Sequence, residues 1–114
     1  MVELAPEQFA GLVAEALDTI PPELSGLMDN VVVMVDDDSP PGRLLGLYHG
    51  IPLTQRGEYG GMAMPDRITI FRQTICASCD TDAEVVAQVR TTVLHEVAHH
   101  FGISDERLDE LGWG

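Results

Sequence analysis

Two histidines four residues apart, with a glutamate directly after the first, are the residues of this chain best suited to chemistry: His95-Glu96-Val97-Ala98-His99. On a helix of 3.6 residues per turn, His95 and His99 stand one turn apart and about 40° apart in azimuth, so two imidazoles can converge on one ion. Glu96 projects roughly 60° from His99 on the same side, where it can reach a metal-bound water without ligating the metal. Zinc fits such a set. It lowers the pKa of its bound water toward ~7, and a neighbouring carboxylate then accepts the proton as the water attacks a carbonyl.

A catalytic zinc needs a third protein ligand and one open position. Gly102 permits a sharp reversal after the helix, and Asp105 follows it, giving His95-x3-His99-x5-Asp105. Two neutral imidazoles and a carboxylate then leave the fourth position for water. With four His, nine Glu, eleven Gly and ten Asp in 114 residues, random placement produces His-Glu-x-x-His in roughly one shuffled chain in a hundred, and the Gly and Asp extension in roughly one in ten thousand. The pattern is therefore read as a metal site, with Zn2+ as the cofactor, rather than as a structural histidine pair.

The elements that must position these groups follow from periodicity. Asp80 to Asp82 can cap a long helix reaching about Phe101, and Gly102 would close it in the left-handed conformation. Val86, Val93, Leu94, Val97 and Phe101 lie on the face opposite the ligands, so a buried side would hold the ligand side toward a cleft. Arg90 falls on that apolar side and is read as structural, snorkelling or paired with a carboxylate. Thr92, one turn before the motif, is a candidate supporting residue behind the ligands. His100 points about 100° from His99 and cannot share its metal on a regular helix, so a surface or supporting role is assigned to it.

Elsewhere, Pro6 to Ile20 reads as an amphipathic helix with Phe9, Val13, Leu17 and Ile20 at helical steps. Glu23 to Met28 reads as a short helical stretch. Val31 to Val35 is short, apolar and β-branched, the pattern of a buried strand. Asp36 to Gly42 is a turn, too short for a calcium loop. Leu44 to Tyr48 and Ile68 to Arg72 are further strands, joined by a long irregular connection from Gly50 to Pro65. A last helix spans Ser104 to Leu111. Strands and helices mix without regular βαβ alternation, which predicts a single α+β domain over residues 1–114: a small mixed or antiparallel sheet packed on the active-site helix, with helices at both ends.

Composition narrows the partners. The formal charge is −13 and the pI about 4.3, which repels the phosphate backbone of nucleic acid and an anionic membrane surface alike. The longest apolar run, Val31 to Val35, is far short of the ~18 residues of a spanning helix. The first residues carry no Lys or Arg of a signal peptide's start, and a cytoplasmic location is expected. The lone pair Cys76 and Cys79 cannot form the multi-bridge framework of a small secreted domain and lacks partners for a zinc site, so both are expected to be free structural thiols. Tyr48, His49 and Tyr59 are candidate oxyanion donors, each more simply an ordinary loop or packing residue. Met62 and Met64 fill gaps.

Read as His-Glu-x-x-His-x-x-Gly-x-x-Asp, His95 to Asp105 resembles the zincin metallopeptidases. The wider run, Leu44-Leu45-Gly46-Leu47-Tyr48-His49-Gly50-Ile51-Pro52-Leu53-Thr54 together with Ile68 to Arg72 and Glu110-Leu111-Gly112-Trp113, is similar to the small bacterial minimal zincin-like family. The resemblance covers most of the chain. It implies a stripped-down zincin domain with zinc at His95, His99 and Asp105 and with Glu96 as the base. The chain departs from metzincins, which carry a third His where Asp105 stands and a later Met-turn; nine residues follow Asp105 and none is Met. Gluzincins draw a third ligand from a later Glu, for which Glu106 or Glu110 can be proposed, but the spacing of Asp105 after Gly102 favours it.

The leading expectation is a zinc peptidase acting on a peptide or protein laid beside the strand Ile68 to Arg72. A non-catalytic zinc-binding or interaction domain is the alternative. A zinc endoribonuclease of the His-Gly-x-x-His-x-x-Gly-x-x-His type fits less well, because Glu96 is present and the charge suits RNA badly.

Overall fold

The computed structural model describes residues 1–38, 44–50 and 65–112. Helix α1, Pro6–Leu17, starts with proline, whose fixed φ and missing N–H suit a first turn, and the Gln8 side chain accepts the Ala5 N–H at 3.0 Å. It buries Phe9, Val13 and Ala16. After α2, Pro22–Ser25, and a short 3-10 turn, Gly26–Met28, the chain enters β1, Val31–Asp36. Strands β2, Gly46–His49, and β3, Asp66–Phe71, follow, then helices α3, Arg72–Ala77, α4, Asp82–His100, and α5, Asp105–Glu110. The architecture is α+β, as the mixture of strand and helix signals implied.

The sheet is mixed, with order β1-β3-β2: β1 pairs with β3 in parallel and β2 pairs with β3 antiparallel. The strand nearest the expected Ile68 to Arg72 segment is thus the central one. Both its edges carry ladder partners, so no peptide can pair with it, and that part of the expectation is corrected. Helices cover one face of the sheet. Ile68 and Ile70 of β3 point into that side, fully buried with Phe9, Val89, Val93, Val97 and Leu108.

The other face of the sheet is open among the described residues. Met34, Leu47, His49, Arg67, Thr69 and Phe71 line a trough of about 540 Å3 there. The apolar run of β1, expected as a buried strand, proves to be an edge strand. Val31 and Val33 pack on the core while Val32 and Met34 alternate outward, 44% and 47% exposed.

Helix α3 carries no side-chain cap and too few residues to show a helical period in the sequence. It buries Ile75 and Cys76. Cys76 and Cys79 are free thiols in the core, as expected, and burial pushes the Cys76 thiol pKa up. Arg72, at the start of α3, donates to Asp37 at 2.8 Å and to the Leu4 carbonyl at 2.7 Å, tying the N-terminal segment and the end of β1 together. Arg90 is half-buried on α4. No described helix is long and apolar enough to cross a membrane. The connection expected over Gly50 to Pro65, with Tyr59, Met62 and Met64, lies almost wholly outside the described residues, as do the end of the Asp36 to Gly42 turn and Trp113.

Candidate metal centre

Helix α4 is anchored from both ends. At its start, Thr81 adopts an extended conformation and its side chain accepts the Glu84 N–H at 3.1 Å. Val85, Val89, Val93, Leu94 and Val97 then bury one side of the helix completely. Phe101, expected on that side, is 44% exposed, because the helix stops at His100 and the reversal begins there.

The reversal is a left-handed cap. Gly102 has φ +78°, its N–H donates to the His99 carbonyl at 3.2 Å, and the Ile103 N–H donates to the Ala98 carbonyl at 2.7 Å. This pair of bonds satisfies two carbonyls that the helix end would leave unpaired, and glycine takes the positive φ without the steric cost of a side chain. Ile103 packs back on the core. Ser104 then caps α5 by accepting the Arg107 N–H at 3.1 Å, and the fully buried Leu108 pins α5 down.

Asp105, the first residue of α5, therefore faces the last turn of α4. Its Oδ1 lies 2.8 Å from His99 Nε2. The hydrogen bond with His99 holds the Asp105 carboxyl below the usual carboxylate range, and the nearby charges of His99 and His95 act in the same direction. The rings of His95 and His99 are tilted at 45° with centroids 5.9 Å apart. His95, Glu96 and His99 line a single cleft of about 360 Å3, walled by Leu44, Leu45 and Gly46 on one side and by Gln88, Thr91 and Thr92 on the other. His95 and Glu96 are half-buried, whereas His99 and Asp105 reach solvent.

The donor set suits zinc: two imidazoles and an ionised carboxylate, with one imidazole nitrogen and the carboxylate already facing each other. Two ligands each about 2.1 Å from a tetrahedral ion stand about 3.4 Å apart, so the His99 and Asp105 pair, at 2.8 Å, need only part slightly to admit it. Among the described residues no group of three or more His, Cys, Asp or Glu is yet gathered at ion-holding distances. Glu106 and Glu110, the alternative ligands, are exposed on α5, and Glu110 accepts from Arg107 at 3.0 Å.

Thr92 borders the cleft, but its hydroxyl donates to the Gln88 carbonyl of its own helix at 2.8 Å. Its methyl is the part that matters. A Cβ at Gly46 would stand 2.6 Å from Thr92 Cγ2, so glycine is what lets β2 lie down on α4. His100 is not among the residues that line the cleft. It stacks on Tyr48 with ring centroids 3.9 Å apart at 16°. Tyr48 donates its hydroxyl to Asp66 at 2.7 Å, and His49 lines the trough on the far side of the sheet. Neither has the cleft-facing position proposed for an oxyanion donor.

Leu44, Leu45, Gly46, Gln88 and Thr91 were not singled out from sequence as cleft residues. Gly46, at the start of a strand, was the one readable signal, since a strand glycine often marks a close backbone approach.

Residues 28–113 match the family model of the zincin-like metallopeptidases. The match spans more than half of the chain, and the protein belongs to that family. A conserved hypothetical protein from Thermus thermophilus shares the fold, with a TM-score of 0.55 and 22% identity over 86% of this chain and 94% of that one. No curated protein matches the chain.

Proposed function

We propose that the protein is a zinc-dependent peptidase in which His95, His99 and Asp105 hold the ion and Glu96 is the general base. The observation that carries this reading is the turn through Gly102, which brings the Asp105 carboxylate to 2.8 Å from His99 Nε2 beside a cleft that Glu96 and His95 line. When bound, zinc supplies Lewis-acid polarisation of a carbonyl and makes water acidic enough to lose a proton near neutral pH. A carboxylate oxygen of Glu96 accepts a proton from the attacking water and returns it to the departing amine nitrogen. Leu44, Leu45 and Gly46 narrow the cleft on the side of β2 and restrict water there.

The substrate strand lies along β2. Among the described residues β2 pairs with β3 on one side only, and it borders the cleft, so an extended peptide adds to its outer edge and presents a carbonyl to the ligand helix. The net charge of −13 favours basic peptide partners and disfavours nucleic acid and anionic membranes. Two buried free thiols fit a reducing compartment such as the cytoplasm.

The test is cleavage of a broad peptide library by the zinc-loaded protein and by its Glu96→Gln variant, read by mass spectrometry. Wild type cuts, and the variant cuts at least about a hundredfold more slowly. Equal background from both contradicts the proposal.

A further inference from the structure

Strand β2 is held against the ligand helix at two points, and they bracket the metal motif. One is Gly46 on Thr92, where only a missing side chain allows the approach. The other is Tyr48 on His100, two nearly parallel rings at 3.9 Å. His95, Glu96 and His99 lie between positions 92 and 100, so the strand is fastened on either side of them. A Cβ at Gly50 would stand 3.1 Å from His100 Cε1, which shows that the strand stays close to the helix up to that end.

The second fastening has a chemical cause. The Asp66 side chain is 9% exposed, and a carboxylate so enclosed is costly without partners. Tyr48 donates to Asp66 Oδ2 at 2.7 Å, and His100 Nε2 stands 3.7 Å from the same oxygen. The carboxylate thereby fixes the tilt of the Tyr48 ring, and the ring in turn gives His100 a flat surface to stack on. Three elements meet here: β2, the first residue of β3 and the last turn of α4.

We infer that Tyr48, His100 and Asp66 form a clamp that sets the height of the β2 edge over the metal motif, making Tyr48 and His100 positioning residues for the backbone of an extended peptide substrate. This rests on the peptidase reading. Neither residue touches the reacting atoms. Their effect passes through the strand, so it reaches substrates long enough to pair with β2 and spares those that are too short.

The test compares His100→Leu, which removes the aromatic surface, with His100→Phe, which keeps it. His100 is partly exposed, so both variants should fold. For a hexapeptide substrate His100→Leu raises KM about tenfold with kcat within about twofold, while His100→Phe stays near wild type. For a blocked dipeptide the two variants behave alike, and zinc affinity, read by chelator competition, stays within about twofold in both. Equal behaviour of the two variants on the hexapeptide, or equal losses on long and short substrates, overturns the clamp. If wild type cleaves no peptide at all, the peptidase reading fails, and the clamp is decided by amide hydrogen exchange. Exchange at residues 46–49 then accelerates at least about tenfold in His100→Leu and not in His100→Phe, and unchanged exchange overturns it.

Discussion

Gly46 and Thr92 are in such close contact that a Cβ on the glycine would stand 2.6 Å from the threonine methyl carbon. Real Cβ contacts do not reach that distance, so Gly46→Ala forces β2 or the Thr92 side chain to shift. The expected cost is about 1–3 kcal/mol, typical of an overpacked core site. Thr92→Ser removes the offending methyl and keeps the hydroxyl that bonds to Gln88. Added to Gly46→Ala, it should recover part of the loss; recovery is incomplete because the Thr69 carbonyl oxygen also lies 3.2 Å from the new Cβ. A double-mutant cycle by urea denaturation checks this, and strictly additive effects would show that the two positions do not interact.

His99 and Asp105 give a second prediction, for the metal-free protein. The hydrogen bond with His99 lowers the Asp105 pKa, so the folded carboxyl binds its proton more weakly than the unfolded one does. Its stabilising effect is present above the unfolded pKa and is lost as pH falls through the lower, folded value. A carboxyl-carbon NMR titration should place the Asp105 midpoint below that of an ordinary aspartate. In His99→Ala the midpoint should move back up, and an unmoved midpoint would assign the shift to some other cause.

Leu108 anchors the short helix that carries Asp105, and its side chain is fully buried. Leu108→Ala should cost about 2–4 kcal/mol by leaving a cavity. It should also weaken zinc binding, because Asp105 is placed by α5 and not by its own contacts alone. Isothermal titration with zinc measures the second effect, and affinity unchanged in a destabilised variant would separate α5 from the site.

Thiol reactivity tests the core. Cys76 and Cys79 are 6% and 3% exposed, and burial raises the Cys76 pKa, which leaves little thiolate at neutral pH. Ellman's reagent should therefore modify Cys76 at least about a hundredfold more slowly in the native protein than in urea, at a rate governed by opening of the fold. Rapid native labelling of Cys76 would contradict its burial.

What was legible in the sequence was local. The ligand helix and its reversal follow from helical spacing and from a glycine that must take φ +78°, both written within a few neighbouring residues. The place of Asp105 just after the reversal follows from the same short-range logic. Strand order is not local: β3 pairs with residues some thirty-five positions before it and about twenty before it, and nothing in Ile68 to Arg72 says that both of its edges are taken. The five apolar residues of β1 likewise look buried in isolation, yet Val32 and Met34 alternate onto the face of the sheet that no described helix covers. The stack of His100 on Tyr48 joins residues 52 positions apart. Helix α3 leaves little trace in the sequence, because Arg72 to Ala77 offers one buried turn and no side-chain cap.

The most direct test of the account is the position of zinc in crystals of the zinc-loaded protein, located by anomalous diffraction at the zinc edge. One zinc per chain is expected, about 2.0–2.2 Å from an imidazole nitrogen of His95, Nε2 of His99 and a carboxylate oxygen of Asp105, with Glu96 beside it but not ligating and one position open to water. Zinc bound elsewhere, a site closed by a fourth protein ligand, or Glu96 in the coordination sphere would contradict it.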